Sequence, residues 1–79
     1  MSKEIYKRVV RCIEDACERE FADIMPSSRL REDLQMDSLQ MILFQVRLEE
    51  EFLFSFDPME EMAKIFYSVE SVCRYLENR

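Results

Sequence analysis

Apolar residues recur at intervals of three and four in three separate stretches of the chain. Over residues 3 to about 20, Ile5, Val9, Ile13, Ala16, Cys17 and Phe21 form one stripe, with Lys7, Arg8, Arg11, Glu14, Asp15 and Glu18 away from it, a pattern that predicts an amphipathic helix. Ser2 stands where its N-cap belongs. The periodicity then lapses through "ADIMPSSRLREDLQM": Pro26 ends regular structure, Ser27 and Ser28 favour a turn, and Ile24, Leu30 and Leu34 are spaced as anchors for a long loop. So long a connection without an element of its own points to a role.

A second helix is predicted to start at Asp37, whose carboxylate can accept from first-turn amides while Gln40, three residues on, completes a capping-box pattern. Ser38 is then the first helical residue. Met41, Phe44, Leu48 and Phe52 form its core-facing stripe. Leu39, Ile42, Leu43 and Val46 lie off that stripe, and a helix apolar nearly all round is either buried on several sides or offers a face to something else.

The segment "LFSFDP" alternates like a short strand, but no second strand exists to pair with it, so it reads as a connector with Phe54 and Phe56 turned inward. Asp57 followed by Pro58 predicts a short third helix over residues 58–66, with Glu60 and Glu61 at the positive end of its dipole. Ser68 caps a fourth, "VESVCRYLEN", striped by Val69, Val72, Cys73 and Leu76. The expected fold is therefore all-α: a small bundle of three longer helices and one short one, with a long loop between the first two, and residues 1–79 forming one domain.

Composition narrows the chemistry. There is no histidine, which removes Ser-His and Cys-His nucleophilic sites and histidine-bearing zinc sites, and no glycine, which removes phosphate-cradling loops. A self-contained enzyme is not expected. Cys12, Cys17 and Cys73 contain no C-x-x-C pair and are odd in number, which suits a reducing, cytoplasmic setting, and no apolar run has membrane-spanning length. The net charge of −6 argues against a nucleic-acid partner. It is also unevenly placed: residues 32–61 hold nine acids against Arg47 alone, a local −8, while each flank comes to +1. That field surrounds Ser38 in sequence and would attract a partner with a basic patch.

At a helix N-terminus, exposed amides tolerate an attached anion, so a serine there suits a phosphodiester; position alone equally fits a plain capping role. The wider motif is more specific. "DLQMDSLQMILFQVRLEEEF" closely resembles the acyl carrier protein segment D-L-G-x-D-S-L, followed by a mostly apolar helix and L-E-x-x-F, and the likeness in helix order extends over nearly the whole chain. The resemblance implies that Ser38 receives 4′-phosphopantetheine from coenzyme A through a phosphopantetheinyl transferase. It further implies that Asp37 helps engage that transferase and its Mg²⁺. Cargo would ride on the arm as a thioester while partner enzymes supply the chemistry, be they acyl-loading, condensing or acyltransfer enzymes.

Two departures from the family pattern bear on detail. Gln35 stands where glycine is usual, so the loop must take another path or bear strain. Gln40 and Leu43 occupy positions often acidic in fatty-acid carriers, and Arg47 adds a positive charge, leaving Glu49, Glu50 and Glu51 as the acidic part of the surface. Partner docking is accordingly expected through Asp37, Leu39, Gln40, Leu43, Val46, Arg47, Glu49 and Glu50, with hydrophobic contact prominent. Phe54, Phe56 and Phe66 are candidates for lining a cargo pocket, the plainer alternative being core. The expected protein is a monomeric carrier of a fatty-acid, polyketide or specialised lipid pathway. An aminoacyl carrier, D-alanyl or peptidyl, and an unmodified helical interaction domain with Ser38 as a mere cap are the alternatives.

Overall fold

The computed structural model describes residues 1–79 and is built from α1 (Lys3–Cys17), α2 (Ser38–Phe52), the single-turn α3 (Met62–Ile65) and α4 (Val69–Glu77). The all-α bundle with its long first loop is thus observed. No helix is long and apolar enough to cross a membrane.

Helix α1 starts as the sequence predicts, with the Ser2 hydroxyl accepting from the Ile5 N–H at 3.3 Å. It ends earlier than predicted, at Cys17, because Glu18 turns into the left-handed region at φ 55°. Glu14 then closes the end twice over: its carbonyl accepts from Glu18 and Arg19, and its carboxylate accepts from the Phe21 N–H at 3.0 Å. Phe21 folds back beneath the Arg19 guanidinium, which lies 4.3 Å from the ring centroid.

The core is one cluster in which Val9 and Ile13 of α1, Phe44 and Leu48 of α2, Leu30 of the loop, and Val69, Val72 and Cys73 of α4 are fully buried. Each of the three longer helices contributes the face its periodicity marked; within the α2 stripe, Phe44 and Leu48 are enclosed while Met41 and Phe52 are half-buried. The long loop is held by main-chain bonds to the start of α4: Leu30 donates to the Tyr67 carbonyl at 3.1 Å, Val69 to Ser28 at 3.0 Å and Glu70 to Pro26 at 2.8 Å. Leu30, Leu34 and Met36 drop into the core beneath it. Of these Met36 was not marked by the sequence pattern, since it stands alone between polar neighbours.

Helices α1 and α2 are also joined at the surface. The Arg8 Nε meets the Glu51 carboxylate at 2.7 Å and its Nη2 donates to the Glu51 carbonyl at 2.7 Å, with the guanidinium 4.3 Å from the Phe52 ring. Helix α2 has no basic residue in its own last turn. Arg8 supplies the missing positive charge at its carbonyl end.

The third helix corrects the sequence reading, beginning at Met62 and not at Pro58. Asp57 does not cap a helix: its carboxylate accepts from the Met59 N–H at 2.8 Å and its carbonyl from Glu60 at 2.9 Å, closing a tight turn that uses up the capping acceptor two residues on. The connector before it behaves as predicted, with Phe56 buried and Phe54 half-buried. Phe56 meets the Phe66 ring edge-on at 5.5 Å and stacks on Tyr75 at 5.3 Å, so aromatic contacts fasten this irregular segment to α4. Ser68 and Ser71 exchange side-chain-to-backbone bonds at 2.9 and 3.1 Å and start α4 as predicted.

Candidate functional site at the start of helix two

The site is built on the N-terminus of α2. Asp37, extended at φ −89° and ψ 179°, accepts the Gln40 N–H on its Oδ1 at 2.8 Å, and its own N–H donates to the Gln40 Oε1 at 3.0 Å, completing the predicted capping box. Gln40 is therefore half-buried and committed to the cap. One Asp37 oxygen serves the helix, and the other has no hydrogen-bond partner.

Ser38 occupies the first helical position and is exposed. The N–H groups of Ser38 and Leu39 have no intrahelical acceptor, because nothing lies one turn before them. A hydroxyl is thus held in solvent beside free amide dipoles, a setting that suits a covalently attached phosphate. No histidine exists in the chain and no lysine lies between Lys7 and Lys64, so neither of these bases stands near Ser38 in sequence.

The approach to this helix passes through Gln35, which adopts φ 56°. The glycine-like backbone turn is retained with a side chain present, so the loop bears strain and does not reroute. A non-glycine residue in this region costs about 1–2 kcal/mol.

Down the helix from Ser38, Leu39, Ile42, Leu43 and Val46 are 64, 59, 44 and 45 % exposed, an apolar surface continuous with the serine. The acidic residues behind it are less available than the sequence suggests. Glu49 turns back to accept the Phe56 N–H at 2.9 Å, Glu51 is bound by Arg8, and only Glu50 stays on the open face, 3.9 Å from the Arg47 guanidinium. Two of the three consecutive glutamates therefore serve the fold.

Beside α2 lies a groove of about 360 Å³. One wall is Met41, Ile42 and Gln45, which stand three, four and seven residues after Ser38 and so continue one helix face beneath it. Met62 and Phe66 line it from α3 and its C-terminal end, and Arg29 and Arg31 come from the loop. Of the aromatic candidates for a cargo pocket, Phe66 reaches this groove, Phe54 lines a different and more polar one, and Phe56 is core. The helical spacing from Ser38 could have revealed the α2 wall; the arginines arrive by tertiary placement alone.

The cysteines form no site. Cys12 and Cys73 are buried, and burial raises their thiols from the ordinary 9.0 to about 11, with nearby carboxylates adding to the shift. Neither is a thiolate at neutral pH.

An exposed serine at the first position of an aspartate-capped helix, free first-turn amides and an apolar helix face behind it make a place for attaching a group. Residues 7–76 match the family model for the phosphopantetheine attachment site, and the chain belongs to that family of phosphopantetheine-binding carrier domains. No curated protein matches the chain. Domains of this family carry 4′-phosphopantetheine covalently, are carriers and not catalysts, and work with a phosphopantetheinyl transferase and further partner enzymes.

Proposed function

We propose that the chain, acting as one monomeric domain, carries acyl intermediates as thioesters on a 4′-phosphopantetheine arm attached to Ser38. The observation that carries this reading is the exposed Ser38 hydroxyl at the first position of a capped α2, inside the family match. Bound there, the group supplies a flexible arm ending in a thiol. The chain's own contribution is positional. Asp37 and Gln40 fix the helix start, the Ser38 and Leu39 amides favour the phosphate, and Asp37 keeps one oxygen for a transferase-bound cation. The chain has no histidine and no lysine near Ser38 in sequence, so a base for its proton is expected from the transferase.

The partner enzymes are a dedicated set that docks by hydrophobic contact through Leu39, Leu43 and Val46, with Gln40, Arg47, Glu49 and Glu50 at the margin. The pairing of Glu51 with Arg8, beside the exposed Leu39, Leu43 and Val46, supports this reading over a mainly ionic one. A fatty-acid, polyketide or specialised lipid pathway suits such a carrier, and the unpaired thiols suit a reducing, cytoplasmic compartment.

The test is to incubate the protein with coenzyme A, Mg²⁺ and a broad phosphopantetheinyl transferase and to weigh it. One added phosphopantetheine is expected, absent in Ser38→Ala with its helical spectrum unchanged. No gain under conditions that load a control carrier would reject the proposal in favour of an unmodified interaction domain.

A further inference from the structure

The groove beside α2 differs from the surface around it in charge. Residues 32–61 carry a net −8, yet of the charged side chains lining the groove, two are arginines and one is Glu32. Arg29 is already engaged, by Glu32 at 2.8 Å and Asp33 at 3.7 Å. Arg31 is exposed and forms no ion pair. An uncommitted guanidinium therefore stands at the edge of an apolar recess whose α2 wall begins one helical turn below Ser38.

Resting on the reading that Ser38 bears the arm, we propose that the groove selects a cargo of one chemical class: an acyl chain with a carboxylate away from its thioester end. The walls of Met41, Ile42, Met62 and Phe66 would cover the chain, and Arg31 would take the carboxylate. The fit has two parts. A volume of about 360 Å³ is at the small end of ligand sites and admits a modest chain. The guanidinium fork matches a carboxylate with two parallel bonds. An anionic cargo tethered to Ser38 also meets Asp37 and Asp33 close by in sequence, so an unpaired cation at the groove gives it one favourable place to settle.

The experiment loads the wild-type chain and Arg31→Gln with two coenzyme A thioesters of equal chain length, one ending in methyl and one in carboxylate, and follows thioester cleavage by hydroxylamine. The carboxylated cargo is expected to be cleaved about threefold more slowly than the methyl one on the wild-type chain, the scale of one exposed charge-assisted contact. On Arg31→Gln that difference disappears. In the wild type alone, raising the salt to about 0.5 M should remove the excess protection of the carboxylated cargo and leave that of the methyl one, since ionic contacts are screened and apolar ones are not. Equal cleavage of both cargoes on the wild type, or a difference that survives both Arg31→Gln and salt, overturns the proposal and leaves the groove a surface crease or a seat for a partner side chain. Failure of both cargoes to add mass under conditions that load a control carrier, or addition that persists in Ser38→Ala, instead overturns the assignment of Ser38.

Discussion

A chain without glycine must still turn corners, and it does so here with Glu18, Gln35 and Leu53 at φ 55°, 56° and 54°. Each holds a conformation that costs a residue with a Cβ about 1–2 kcal/mol. Gln35→Gly is therefore expected to stabilise the protein by about 0.5–1 kcal/mol once the greater freedom of glycine in the unfolded chain is allowed for. Urea denaturation measures it, and an unchanged or lowered midpoint would show that Gln35 is not strained. No sequence rule marks a glutamine as left-handed, which is why the position read as a fork between rerouting and strain. The cysteines make a second prediction at this scale. In the folded state Cys12 and Cys73 keep their protons up to about 11, whereas unfolded thiols lose theirs near 9.0. The folded form thus holds the extra proton, so this contribution is intact below pH 9.0 and is lost as pH rises towards 11. Denaturation midpoints across that window should fall, and fall less in a Cys12→Ala, Cys73→Ala double variant.

Helix α2 answers to two demands that substitution can separate. Its cap and core face set stability. Asp37→Ala should cost about 1 kcal/mol by loss of the capping box, and Phe44→Ala about 3–5 kcal/mol, enough to unfold much of so small a chain. Its outward face should not: Leu43→Ser and Val46→Ser are expected to stay within about 0.5 kcal/mol of the parent while weakening association with partner enzymes. Asp37→Asn gives the sharper comparison, because asparagine caps as well as aspartate but carries no charge. Stability near that of the parent with slower loading by the transferase would assign the carboxylate a role in loading; unchanged loading would leave it a cap alone. The start of α2 was legible in the sequence because a capping box is a local exchange between residues three apart. The start of α3 was not, because the acceptor that makes Asp57 a good cap equally makes it a good turn, and Met59 took the bond first. The availability of Glu49 and Glu51 was equally hidden, since Phe56 and Arg8 reach them only once the chain has folded.

Across the whole molecule, part of the acidic charge at α2 is paired: Glu51 meets Arg8 and Glu50 stands near Arg47. With Glu51 and Glu50 each beside an arginine, association with a partner enzyme should depend only weakly on ionic strength. Rates measured between about 0.05 and 0.5 M salt would check this, a fall of tenfold or more pointing to ionic steering after all. The order of helices and the inward face of each were readable from periodicity, but the partner of the long loop was not, because main-chain bonds leave no trace in side-chain pattern. That loop is bonded to Tyr67, Val69 and Glu70, residues more than thirty positions further on, while the helix it delivers begins immediately after it. The place of Ser38 is consequently surveyed from the far end of the chain. During synthesis the segment before Ser38 can meet α1, where the Tyr6 hydroxyl donates to the Ile24 carbonyl at 3.2 Å, but Pro26, Ser28 and Leu30 lack their main-chain partners until the start of α4 has emerged, so a nascent chain should be a poor transferase substrate until then. In the finished protein the amides of Leu30, Val69 and Glu70 should exchange with solvent together, as one unit.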